Sequence, residues 1–497
     1  PVTRQNGDPR EPLECTAGPG SPASAPQRPI ASRAAAKAPG GAPPEPAGSG
    51  RAPERGAESA ADSAAFWGAP VRTAELANGL RLVVAEDAGK PLVSTALWYG
   101  VGARDERPGE SGLAHFLEHM RFKGSEKYGA GEVDRLTQGL GGSNNAFTSH
   151  DATVYTFNLP AARWRTALEI EADRLQTLLL DPDEVDSERE VVLEEIAMYE
   201  SDPWDALDQA VVRELFAGHP YAEPVLGHRE RMRLHGPDDL RAFQRAHYRL
   251  DNAVLAVAGA CDLDELAGEA ERIFAGVGRR SPSGARAGVA PAVGERQRGR
   301  VERRRGETAR LLFAAQAPGA CEPAHPVWRM AIAVLTAGRG SRLHRRLVEE
   351  ERCATWINGD LSETVGPATA SVMLEVPPGV EPERPERVLW EEIQRLADRS
   401  PDDAELRRAR RMMKADFVFA HERAARQAVA LGAEEMLFGR GHYQRLFERL
   451  EEVRPEDLQA VGAELLAGRS VVGWSLPTVA GGSQGTLAEA SSPGALA

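Results

Sequence analysis

The chain has 497 residues, 42% of them hydrophobic, enough to build two or more domains with ample cores. Sixty Lys and Arg against 74 Asp and Glu leave a net charge of −14, which excludes a general nucleic-acid binder, because neutralising phosphates takes a clustered cationic excess. Four widely spaced cysteines, Cys15, Cys261, Cys321 and Cys353, exclude a zinc–thiolate site and a disulfide framework.

Residues 1–65 are rich in Pro, Ala, Gly and Ser, lack periodicity, and read as a disordered tail. Because the chain opens on Pro1 and not Met, an upstream segment is expected to be missing, and the compartment stays open between cytoplasm and periplasm. No apolar run reaches the roughly 18 residues that span a bilayer, so no transmembrane segment is expected. Order begins near Phe66. Thr73–Ala77, Asn78-Gly79 and Leu80–Ala85 predict a hairpin on a type I′ turn, and Leu92–Val101 a third strand. Gly109-Glu-Ser-Gly112 then starts a helix, with Ser111 as the expected N-cap and no breaker before Phe122.

That helix carries His115-Phe-Leu-Glu-His119. Two histidines one turn apart share a face and can reach one metal ion, and Glu118 beside them can hold the water there. The order is H-x-x-E-H and not H-E-x-x-H. Histidines at this spacing also occur on ordinary helix surfaces, so the rest of the chain has to decide.

A helix over 130–139, two strands between Asn144 and Leu159, and helices across 161–216 follow. In Asp186-Ser-Glu-Arg-Glu-Val-Val-Leu-Glu-Glu195, Glu188 and Glu195 are seven apart and lie on one helix face. Glu195 is then a candidate third metal ligand, with Glu188 supporting a ligand, but Glu194 is equally charged and points about 100° away. Spacing leaves that choice open.

The second half repeats the first. Pro237-Asp-Asp-Leu-Arg-Ala242 returns as Pro455-Glu-Asp-Leu-Gln-Ala460, each ahead of an apolar strand, and Leu215-Phe-Ala-Gly-His-Pro-Tyr221 returns as Leu437-Phe-Gly-Arg-Gly-His-Tyr443. Two echoes in the same order predict duplicated α+β domains, 66–282 and 303–477, with a linker at 283–302 and a low-complexity tail at 478–497. The Arg-rich stretch around the linker, with Arg296, Arg298, Arg300 and Arg303–Arg305, reads as solvated, a polyanion contact being the alternative.

Ser111-Gly-Leu-Ala-His-Phe-Leu-Glu-His-Met120 with Phe122-Lys-Gly124, Gly141-Gly-Ser-Asn-Asn-Ala-Phe-Thr148, and Glu188-Arg-Glu-Val-Val-Leu-Glu-Glu195 together resemble the inverzincin metallopeptidases. This is the group of pitrilysin, insulin-degrading enzyme and the mitochondrial processing peptidase, and the resemblance covers about residues 70–477. It implies an α+β protein of two homologous α/β-sandwich domains, each a mostly antiparallel sheet packed by helices. It also implies one Zn2+ on His115, His119 and Glu195, with Glu188 as the supporting glutamate and Glu118 as the general base of a zinc endopeptidase. Asn145 and Ala146 match the edge strand on which an extended peptide or unfolded segment pairs by β-addition.

One part of the pattern is missing. After Ser341-Arg-Leu343 the family carries an Arg and, seven residues later, a Tyr, where this chain has Val348 and Thr355. The resemblance then implies a dimer in which a metal-free homologue supplies the Arg/Tyr pair. A non-catalytic assembly subunit of a processing-peptidase-like complex is the alternative.

Overall fold

Two sheets, one from each half of the chain, organise the computed structural model, which describes residues 67–277 and 298–477. The tails expected at 1–65 and 478–497, and the linker up to residue 297, lie outside the described residues. The first sheet is built from β1 (Val71–Glu75), β2 (Arg81–Glu86), β3 (Leu92–Tyr99), β4 (Ser143–Thr148), β5 (Thr153–Pro160) and β6 (Ala253–Gly259), in the order β1-β2-β6-β3-β5-β4. The second contains β7 (Arg298–Arg304), β8 (Ala309–Ala317), β9 (Trp356–Leu361), β10 (Ala368–Val376) and β11 (Ser470–Leu476), in the order β7-β11-β8-β10-β9.

The pairs β2/β6 and β7/β11 are parallel, and every other pair is antiparallel. Leaving out β1, the two orders correspond strand for strand, so the two sequence echoes mark a duplicated topology. The strand after each Pro-initiated helix, β6 or β11, inserts into the middle of its sheet. Every residue of β6 is buried, which is why it reads as a continuous run of small apolar residues and not as an alternation. Among the described residues no helix is long and apolar enough to cross a membrane.

Local details differ from expectation in three places. The first hairpin forms, but its connection spans 76–80, with Leu76 N–H donating to Leu80 O at 2.9 Å. Leu76 and Leu80 both turn into the core, and that burial outweighs the tighter Asn-Gly turn. The motif helix runs Leu113–Met120, and its N-cap is Gly112 at φ +90°, not Ser111. The Glu106 carboxylate takes the place of the cap, accepting from Gly112 N and Ala114 N at 2.9 Å each. Finally, β7 starts at Arg298, inside the segment read as linker. Its Arg-Gly-Arg-Val-Glu-Arg-Arg sequence has four arginines and a single β-branched residue, Val301, and so does not announce a strand.

Each sheet is covered by a helix from the opposite half. Pro203–Leu215 lies on β8 and β11, packing Leu207, Val211 and Leu215 against Leu312, Ala314 and Val471. Ala424–Ala433 lies on β3 and β6, bringing Ala428 and Leu431 into the cluster of Trp98, Val254 and Ala256. Glycine allows the close approach in both directions. A Cβ at Gly432 would sit 2.1 Å from Trp98 Nε1, and one at Gly473 would sit 2.3 Å from Val211 Cγ2.

The β4–β5 turn and the β9–β10 turn meet where the halves join. Buried Asp151 accepts from Val365 N at 2.9 Å and Tyr221 OH at 3.0 Å, and binds Arg104 Nη1 at 3.1 Å. Tyr221 OH in turn accepts from Gly366 N at 2.9 Å. Tyr443, its counterpart in the sequence echo, donates to Glu363 of the β9–β10 turn at 3.3 Å.

Candidate metal centre

The motif helix buries Leu113, Phe116, Leu117 and Met120 in the core of the first half, and its other face carries His115, Glu118 and His119 into a cavity of about 710 Å³. A 20-residue helix, Pro182–Ser201, runs alongside. It is started by Asp181, whose side chain accepts from Asp183 N and Glu184 N. The two-turn spacing puts Glu188 and Glu195 against the histidines, while Glu194 points to solvent. Glu188 Oε1 lies 2.9 Å from His119 Nδ1, and Lys123 holds the other oxygen of Glu188. Glu195 Oε2 lies 3.3 Å from His119 Nε2 and 3.6 Å from His115 Nε2.

One ligand atom from each of His115, His119 and Glu195 falls within 4.8 Å of the other two. Ligands at about 2.0–2.2 Å from a tetrahedral zinc stand about 3.3–3.5 Å apart, close to the two separations above. Glu195 Oε2 is also buried without a hydrogen-bond partner, although each imidazole nitrogen that faces it could donate. A buried carboxylate oxygen facing two ring nitrogens without hydrogen bonds fits a set of three acceptors around a cation. These residues fit zinc.

Burial holds His115 down at about 4, with the charge on His119 adding to the effect, so its lone pair stays free at neutral pH. Burial also opposes a charge on His119, but the hydrogen bond to Glu188 and the neighbouring Glu118 and Glu195 carboxylates outweigh it and raise that histidine. A proton on Nδ1 directed at Glu188 aims the Nε2 lone pair at the cluster. Burial pushes Glu118 up to about 7, against the pull of a 2.5 Å hydrogen bond from Thr148 Oγ1.

Thr148 ends β4, the outer strand of its sheet. Asn145 is exposed on that strand and Ala146 half-buried, and both line the same cavity. The structure thus brings His115, Glu118, His119, Glu188, Glu195, Asn145 and Ala146 into one region. Sequence reasoning assigned no role to Thr148. The available signal was its phase, since it shares a strand face with Asn144 and Ala146 at the buried end of that strand. Val348 and Thr355 are not among the lining residues. Val348 packs on the core of the second half, and Thr355 is exposed, its N–H bonded to Glu375 O at 2.9 Å.

Residues 81–229 match the family described as insulinase (peptidase family M16), and residues 236–413 match the peptidase M16 inactive domain. A zinc protease of Streptomyces coelicolor, named as uncharacterized, is 29% identical over 412 residues, 80% of this chain and 88% of that protein. A similarly named zinc protease of Mycobacterium tuberculosis is 30% identical over 402 residues, 79% of this chain and 90% of the relative. In fold, the chain is similar to a protease from Helicobacter pylori, with a TM-score of 0.76, 22% identity, and 82% of this chain and 99% of that one covered. A 30% identical relative matched over nine-tenths of its length, and family matches in both halves, place the chain in peptidase family M16.

Proposed function

We propose that this protein is a zinc-dependent endopeptidase that cuts extended peptides or unfolded segments. The reading is carried by the convergence of His115, His119 and Glu195 from two helices, with Glu118 beside them. His115, His119 and Glu195 hold one Zn2+, and zinc there supplies Lewis acidity toward a peptide carbonyl and toward water. Glu188 fixes the His119 ring through Nδ1. Glu118 takes a proton from the attacking water and releases it to the departing amine, with Thr148 holding its carboxylate in place. The peptide lies along the outer edge of β4, where main-chain hydrogen bonds at Asn145 and Ala146 align it with few side-chain demands.

Glu118→Gln tests the reading. The variant is expected to retain zinc, measured by atomic absorption, and to lose cleavage of a quenched fluorescent peptide by several orders of magnitude. Undiminished cleavage by the zinc-loaded variant removes Glu118 from the role of base. The absence of an Arg and a Tyr at 348 and 355 favours a dimer in which a homologous chain provides them. The same absence, with the match of the second half to an M16 inactive domain, supports the second reading, a non-catalytic assembly subunit. Zinc content and peptide cleavage in one preparation separate the two.

A further inference from the structure

The strand β7 has two faces with different electrostatics. Its even-numbered arginines are satisfied: Arg298 lies over Trp390 at 4.4 Å, Arg300 pairs with Glu386 at 3.0 Å, and Arg304 with Glu302 at 3.5 Å. The odd-numbered face is covered by the helix Pro203–Leu215, with Gly299 against Glu214 and Val301 against the cluster of Leu207 and Val211. Arg303 continues this face, and Arg305 follows in the same phase just past the strand end. Arg213 comes from the last turn of the covering helix. All three line the cavity that holds His115, His119 and Glu195.

Among the described residues, no carboxylate lies within ion-pair distance of Arg213, Arg303 or Arg305. Burial, and then repulsion from Arg213 and Arg305, lower the pKa of Arg303. Glu200 is the acid that bears on Arg303, and Arg229 already binds it at 2.8 Å. In a chain with a net charge of −14, three guanidinium groups that make no ion pair among the described residues line one cleft. Guanidinium forks match a carboxylate in shape and charge, so an anionic group on the occupant of the cleft would relieve the repulsion.

We infer that Arg213, Arg303 and Arg305 form a carboxylate-binding subsite of the peptide cleft, selecting substrates that carry an acidic side chain or a free C-terminus at a set distance from the cut bond. This rests on the peptidase reading and adds a charge preference to it. The shared chemistry is a peptide carboxylate, and two sources can supply it.

The test is a binding measurement on the full chain carrying Glu118→Gln, which removes turnover. Fluorescent ten-residue peptides with one Glu moved through successive positions are compared with Gln counterparts, each with a free or an amidated C-terminus. Anisotropy is expected to show at least one Glu position, or the free terminus, binding on the order of tenfold tighter than its neutral counterpart. Arg303→Gln with Arg305→Gln is expected to abolish that preference and leave the neutral peptide's affinity unchanged, with an unaltered circular dichroism spectrum. Equal affinity across the series, or a preference that survives the double substitution, overturns the subsite and leaves the peptidase reading standing. Binding of no peptide, acidic or neutral, overturns both.

Discussion

Glu188 shows how much of the candidate centre is made by residues outside the cluster of His115, His119 and Glu195. It is buried, shared between His119 Nδ1 and Lys123, and seven residues from Glu195 on one helix face. Glu188→Ala removes the acceptor that orients the His119 ring. Zinc affinity, measured by chelator competition, is expected to fall about 10–100-fold while far-UV circular dichroism stays unchanged. Unchanged affinity would reduce Glu188 to a partner of Lys123. The legibility of the site follows sequence distance. His115, Glu118 and His119 lie within five residues of one helix, so helical geometry alone groups them. Glu195 comes from another helix, and spacing could not separate it from Glu194. Only the resemblance favoured Glu195 before the structure put Glu194 in solvent. The Thr148 hydroxyl is joined to Glu118 by tertiary packing of β4, which no local pattern reports.

Strands and helices were largely readable from local signals: β3 and β5 as strand segments, β6 as an apolar run, and the two Pro-initiated helices through their starts. Which helix covers which sheet was not readable, because hydrophobic phase identifies a buried face and not its partner. The exchange of Pro203–Leu215 and Ala424–Ala433 between the halves depends on two glycines whose role is visible only in three dimensions. A methyl at Gly432 has nowhere to go, since Trp98 is 1% exposed and cannot swing away. Gly432→Ala is therefore expected to destabilise the protein by about 1–3 kcal/mol despite alanine's better helix propensity. Gly268→Ala is the control: it lies inside the helix Leu263–Ile273 with nothing within 4 Å of the added Cβ. There the same exchange is expected to be neutral or stabilising by about 0.4–1 kcal/mol. Opposite signs in a thermal-melt comparison support the packing argument, and equal effects contradict it.

At the scale of the whole molecule, the equivalent turns of the two sheets are joined at Asp151. Arg104, with its side chain 7% exposed, depends on that carboxylate, and Asp151 accepts from Tyr221 OH and Val365 N, while Tyr221 OH accepts from Gly366 N. Asp151→Ala leaves the buried Arg104 with only the longer 4.0 Å contact to Asp105, a change that costs about 3–5 kcal/mol. Hydrogen exchange is expected to accelerate at Val365 and Gly366 ahead of the strands on either side. The Arg/Tyr pair poses a different question, because here the second half departs from the pattern of its family. Val348 packs against a core and Thr355 spends its N–H on Glu375, so neither can stand in for an Arg or a Tyr at the cavity. If a homologous subunit supplies those groups, the zinc-loaded chain purified alone should bind an extended peptide yet cleave it slowly. Co-expression with a homologue that has the Arg/Tyr pair and no H-x-x-E-H motif should then raise kcat much more than it changes KM, since the missing groups act on the reacting centre and not on the edge strand. Size-exclusion chromatography with light scattering on the same samples identifies the assembly responsible. Full turnover by the chain alone, as monomer or homodimer, would show that the cleft is complete without the pair and remove the partner from the mechanism.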